Sequence, residues 1–92
     1  IDPERHPLVR WPLDQYVIMG VLLSEDRKIA IVRTPRPHLQ SYLLHIGDLL
    51  GDENCRVRSI DNSGITMLES FSELPKQIRL EVRNKGVKTK DD

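Results

Sequence analysis

The shortages in this chain narrow its possibilities first. Its 92 residues include one cysteine, Cys55, so no internal disulfide staples the fold. A structural zinc site needs four Cys or His ligands at local spacings, and one cysteine with His6, His38 and His45 dispersed does not supply them. No apolar run approaches the roughly 20 residues that a membrane-crossing helix requires. Charge of one sign is missing as well, because 14 basic and 14 acidic residues cancel. The two parts of the chain barely differ, with 6 bases and 8 acids over 1–55 against 8 and 6 over 56–92. Without a basic excess there is no field to gather nucleic acid or an anionic membrane surface. Only four aromatics are present, Trp11, Tyr16, Tyr42 and Phe71, and none is interleaved with the basic cluster that base stacking requires. The chain shows no signal peptide and begins at Ile1, so we expect it to be part of a larger protein whose targeting segment lies elsewhere.

The remaining residues are organised for a small β domain. Residues 1–12, "IDPERHPLVRWP", hold three prolines and four charges, which favours an extended N-terminal linker with Leu8, Val9 and Trp11 at the rim of the core. "PLDQ" allows one helical turn begun by Pro12. "QYVIMGVLL" is apolar on both parities, as in a strand buried on both faces, and Gly20 in its middle suggests a bulge. "SEDRK" reads as a turn, "IAIVRT" as a second strand, and "PRP" stops it. "HLQSYLLHI" alternates, with Leu39 and Leu43 on one face and Tyr42, Leu44 and Ile46 mainly on the other. "RVRSID" and "GITMLES" flank Asn62-Ser63-Gly64, a hairpin signal, and Val57 and Ile60 are out of phase for a period of two, which calls for a bulge or register change. "QIRLEVR" is the cleanest strand, with Ile78, Leu80 and Val82 inward and Gln77, Arg79, Glu81 and Arg83 facing water. "NKGVKTKDD" has one apolar residue in nine and is expected to be a disordered C-terminal tail over 84–92. The expected class is all-β: a β-sandwich or partly closed barrel of about six to seven short antiparallel strands, spanning residues 13–83.

The densest polar stretch, "HIGDLLGDENC" at His45–Cys55, invites a chemical reading. His45 and Cys55 raise the possibility of a nucleophile pair, which needs contact and an orienting third group. The simpler reading is a half-exposed histidine and a small buried thiol. The acids Asp48, Asp52 and Glu53, with Asn54, do not keep the alternate spacing and terminal glutamate of an EF-hand loop. Gly47 and Gly51 are too sparse for a phosphate cradle, and no helix follows them. We read Gly47, Asp48 and Gly51 as turn residues, with Asp and Asn bonding their own backbone. No catalytic residue, metal site or cofactor is therefore expected. The apolar strands with two apolar parities remain, and they suggest an edge or face offered to a partner, or else a central strand.

In order along the chain, "PLDQYVIMGVL", "IAIVRTP", "YLLHIGDLLGDENCRVRSID" and "GITMLES" resemble the periplasmic domain of the PilP family of type IV pilus lipoproteins. The shared features fall on Pro12–Asp14, Gly20, Ala30–Val32, Gly47–Gly51, Val57–Ile60 and Ile65–Glu69. They cover about residues 12–70. "RPHLQSYLL" and "SFSELPKQ" depart from the family pattern. The domain is also similar to the homology region of GspC in type II secretion. The resemblance implies a β-sandwich with no enzymatic activity that couples inner-membrane components to the outer-membrane secretin in the periplasm. The implied partners are the periplasmic domains of a PilQ-like secretin and, through a lipid-anchored N-terminal arm, PilN/PilO-like inner-membrane subunits. The alternatives are a GspC-like secretin-docking domain, a small-barrel nucleic-acid binder and a small hydrolase using Cys55 and His45. For the partner contact, the leading strand of a small sandwich often lies at an edge, which points to Leu13, Gln15, Tyr16, Val17 and Ile18.

Overall fold

A computed structural model describes residues 4–69, 73–74 and 76–83. Among these residues, seven strands form two antiparallel sheets. The first sheet has the order β1 (Val17–Leu23), β2 (Lys28–Arg33), β3 (Ser41–His45). The second has the order β4 (Leu49–Leu50), β5 (Cys55–Asp61), β6 (Gly64–Leu68), β7 (Gln77–Glu81). Every strand follows its neighbour in sequence through a short connection, so the chain is two meanders joined by the His45–Leu49 corner. The sheets pack face to face, and a parallel bridge from Ile18 of β1 to Val82, just beyond β7, joins them along one side. The result is the sandwich, partly closed, that the strand count suggested.

Alternation explains which residues enter the core. Ile18, Ala30, Val32 and Leu44 from the first sheet meet Val57, Ile60, Ile65 and Met67 from the second, each at most 2% exposed. Fully burying an aliphatic side chain of this size contributes about 1.5–3 kcal/mol, so this layer dominates stability. β1 contains the expected bulge, since Ile18 pairs with Val32 and Gly20 with Ile31, leaving Met19 as the extra residue. β5 shifts register between Val57 and Ser59, which reconciles the out-of-phase Val57 and Ile60 on one face. β7 alternates as read from sequence, with Gln77, Arg79 and Glu81 exposed and Ile78 and Leu80 half-buried against the core. Gly64 closes the β5–β6 hairpin where a Cβ would run into the backbone of Leu80 and Glu81.

Residues 4–12 do not form the extended linker that the prolines of 1–12 suggested, and residues 1–3 lie outside the described residues. Pro7–Val9 and Leu13–Gln15 each make a 3₁₀ turn, the first capped by the His6 ring and the second following Pro12. Trp11 is 8% exposed and belongs to the core. Proline at the start of a turn fixes the φ that the turn needs, so it shapes this segment instead of keeping it straight. The folded unit thus begins before residue 13. The tail expected over 84–92 lies outside the described residues.

β4 is the other departure. Leu49 and Leu50 stand between the turn residues Asp48 and Gly51 with no strand expected there, yet Leu49 pairs with Arg56 and Leu50 with Cys55. Leu50 is fully buried, so two strand residues suffice to place it in the core.

Candidate functional site

The His45–Cys55 corner is held by backbone and by the N-terminal segment. The Asp48 carboxylate accepts the His45 N–H at 2.8 Å, while the Asp48 N–H donates to the His45 carbonyl at 3.0 Å. Gly47 N–H donates to the Val57 carbonyl, Val57 N–H to the Asp48 carbonyl, and the Arg56 guanidinium to the Gly47 carbonyl at 2.6 Å. Gly51 and Asp52 donate their N–H groups to the carbonyls of Leu8 and Trp11 at 2.7 and 2.8 Å. Arg5 adds bonds to the Asp52 carbonyl and the Asn54 amide oxygen. Gly47, Gly51 and Asn54 all have positive φ, at 96°, 88° and 57°. The hydrogen bonds of this stretch thus serve its own geometry, and among the described residues no three His, Cys, Asp or Glu groups cluster as metal ligands do.

The candidate nucleophile pair is split between the two sheets. His45 is exposed at the end of β3, with its ring Nδ1 3.4 Å from the Asp48 carboxylate. Cys55 is 2% exposed at the start of β5. Burial first, then the nearby charges of Glu53, Glu69 and Asp52, push its thiol pKa up. An activated cysteine is shifted the other way.

The five residues expected to meet a partner fall into two groups. Tyr16 and Ile18 are 5% and 2% exposed. The Tyr16 hydroxyl donates to the Pro7 carbonyl and accepts the N–H groups of Arg10 and Trp11 at 3.2 and 3.3 Å. Burial is the largest cause of its raised pKa. Its ring meets Trp11 edge to face, and the Arg10 guanidinium lies 5.2 Å from the Trp11 ring. Tyr16 thus ties the N-terminal segment to the core. The Leu13 side chain packs over Gly51, where a Cβ would come within 3.2 Å of it. Gln15 is exposed and Val17 half-buried, so these two are the ones with surface to offer. The outer edge of β1 is also partly occupied, since Arg83 N–H donates to the Ile18 carbonyl at 2.7 Å.

A free apolar surface lies on the outer face of the first sheet. Register sets Leu22 beside Ile29, and Gly20 beside Ile31, which in turn faces Leu43. Leu22 is 56% and Leu43 55% exposed, with Ile29 and Ile31 half-buried between them. Arg33 and Ser41 pair at one end of this face, next to Val17. A shallow pocket of about 300 Å³ lies at the other end, lined by Leu22, Leu23, Ser24, Arg27 and Ile29. The sequence carried the signal for this surface in the double-parity strands, but that pattern fits a strand covered on both faces equally well.

The family model for the pilus assembly protein PilP matches residues 1–79. Among solved structures, the solution structure of PilP from Pseudomonas aeruginosa matches with a TM-score of 0.72 and 18% identity, covering 98% of this chain and 86% of that one. A domain from the PilP pilot protein of Neisseria meningitidis matches with a TM-score of 0.68 and 18% identity, covering 98% and 83%. A domain from the type IV pilus biogenesis lipoprotein PilP of Pseudomonas aeruginosa matches at 0.69 and 18%, covering 88% and 98%. No curated protein matches the sequence. At such identities the structures speak for the fold, while the family model, matching most of the chain, shows that it belongs to the PilP family of pilus assembly proteins.

Proposed function

We propose that this domain is a non-enzymatic periplasmic coupling module of type IV pilus assembly. It joins PilN/PilO-like inner-membrane subunits to the periplasmic domains of a PilQ-like outer-membrane secretin. The observation that carries this reading is the PilP family match over residues 1–79. The structural relatives support it, one of them being a domain of a type IV pilus biogenesis lipoprotein. The character of the surface also agrees. The one thiol is buried and shifted away from reactivity, and the free apolar face suits protein contact. A lipid anchor on an arm N-terminal to the domain holds it at the inner membrane in this reading. The Tyr16-centred knot fastens the start of the domain to its core, so a tether there pulls on a folded body.

The test is a titration of the ¹⁵N-labelled domain with the N-terminal periplasmic domains of the secretin from the same genome, read by NMR. The expected result is saturable shift changes confined to one face. Unchanged spectra at the highest soluble secretin concentration would reject the coupling role, and salt-sensitive binding to an oligonucleotide would favour a small-barrel nucleic-acid binder in its place.

A further inference from the structure

Resting on the coupling reading above, we infer that the open edge of β3, together with the outer face of the first sheet, receives an extended strand from the partner. That strand carries apolar side chains alternating toward Leu43, and a carboxylate opposite Ser41 within reach of Arg33.

The backbone shows why β3 is the available edge. Both the N–H and the C=O of His45 point away from β2, because Asp48 takes them both. In an antiparallel ladder, alternate residues present their N–H and C=O to the same side. Leu43 and Ser41 therefore direct theirs away from β2 as well. No other strand lies there, since β3 ends the sheet order, and no backbone bond among the described residues meets these groups. Two residues with four open backbone groups are enough to begin a ladder, and the Asp48 turn sets its limit.

The other edges are guarded. The start of β1 is bonded by Arg83 and its middle is bulged at Met19. β4 has only two residues. β7 carries Gln77, Arg79 and Glu81, and charged side chains discourage edge pairing. Along β3 the side chains are uncharged from Ser41 to Leu44.

The face beside this edge sets the chemistry of the occupant. Leu43, Ile31, Ile29 and Leu22 form an apolar row across the three strands, ending in the 300 Å³ pocket. Arg33 stands at the Ser41 end of this face, and no carboxylate among the described residues pairs with it. At the Ser41 end of this face Arg33 is the ionisable group, and it is basic, whereas at the other end Asp48 already bonds His45 and Arg27 lines the pocket, so the acidic residue of an added strand belongs opposite Ser41. A strand added to β3 lies two spacings from β2, roughly 10 Å. Ser41 is small, so Arg33 reaches across it to a glutamate or aspartate. Glu25 and Asp26 sit in the β1–β2 turn, at the opposite end of these strands from Arg33.

Two NMR titrations of the ¹⁵N-labelled domain test this, one with the secretin's periplasmic domains and one with a seven-residue peptide alternating glutamate and valine. A lysine–valine peptide serves as the charge control. Shift changes at Ser41, Leu43 and Ile31 with both secretin and acidic peptide support the inference and the coupling reading together. Secretin binding that shifts other residues overturns the surface and leaves the reading standing. Peptide binding on β3 without secretin binding keeps the surface and overturns the reading. Silence in both overturns both. The acidic peptide should weaken about fivefold on Arg33→Glu, while the lysine peptide gains. If the two peptides bind equally well to the wild-type domain, the charge assignment fails. Leu43→Pro removes the outward N–H without costing a ladder bond to β2 and should abolish binding. Should that variant not fold, Leu43→Lys, which keeps the backbone and removes the apolar contact, must weaken the acidic peptide; unchanged binding overturns the inference.

Discussion

The two sheets bury similar inner faces and present opposite outer ones. In the second sheet, Arg79 on β7 bonds the carboxylates of Asp61 and Glu81, at 2.7 and 3.0 Å, and the hydroxyls of Thr66 and Ser63. Around Arg79 that face is polar and self-paired, with the half-buried Leu68 its apolar member beside Arg56 and Gln77. In the first sheet, Leu22, Ile29, Ile31 and Leu43 occupy the equivalent outward positions. An antiparallel sheet with one solvated face ordinarily alternates apolar-in and polar-out. The second sheet obeys that rule and the first breaks it, on the same scaffold. Folding does not require the exception, because the inner faces already supply the core. The outer apolar row is thus the part of the molecule with energy left to spend on another chain.

This contrast can be broken most severely at the core. Ile65→Ala, at a fully buried position on β6, should cost about 2–5 kcal/mol in urea denaturation. Ile31→Ala, the same change on the outer face of the first sheet, should cost under about 1 kcal/mol. Equal losses would mean that the outer face is part of the core. Next in size, Gly64→Ala should destabilise by upwards of about 2 kcal/mol, because the new Cβ meets the β7 backbone with no flexible side chain to yield.

Tyr16→Phe sharpens the role of the N-terminal knot. It leaves the Arg10 and Trp11 N–H groups and the Pro7 carbonyl short of a partner and should cost about 1–3 kcal/mol. The folded-state pKa of Tyr16 is raised, so its contribution is complete below the ordinary tyrosine value of about 10 and fades as pH rises past it. The alkaline limb of the stability profile should shrink in Tyr16→Phe, and an unchanged limb would refute this assignment.

The smallest effects belong to the solvated face of the second sheet. Hydrogen bonds from Arg79, then from Ser63, hold the Asp61 carboxyl well below its usual range. A depressed carboxylate contributes above its unfolded pKa of about 4 and loses that contribution as pH falls below it. Asp61→Asn should therefore flatten the acid limb slightly, and added salt should shrink the difference from wild type, because the pair is exposed. A large, salt-insensitive loss would make that network structural and weaken the contrast between the faces.

Where one signal settles a position, the fold was readable from the sequence. "QIRLEVR" gave β7 its alternation, Asn62-Ser63-Gly64 its hairpin, and the phase slip between Val57 and Ile60 its bulge. Gly47 and Asp48 lie in the corner between the sheets, and Gly51 opens the turn between β4 and β5. The partner positions were less readable. A leading strand at an edge was correct for β1, yet Tyr16 and Ile18 point inward and Arg83 bonds the edge from a residue distant in sequence. No local pattern reports a contact between positions so far apart.

The sequence by itself determined six of the seven strands found among the described residues, the turns, the inward residues of β5 and β7 and the family, because each depends on short-range alternation or on an ordered set of local motifs. Tertiary structure alone decided that Pro7–Trp11 folds back as a lid on Gly51 and Asp52, that Leu49 and Leu50 make a strand, and that the second apolar parity of β1 and β2 faces outward. A residue's period tells which neighbours share its face. Whether that face is covered depends on how many layers the whole chain can build, and this one builds two.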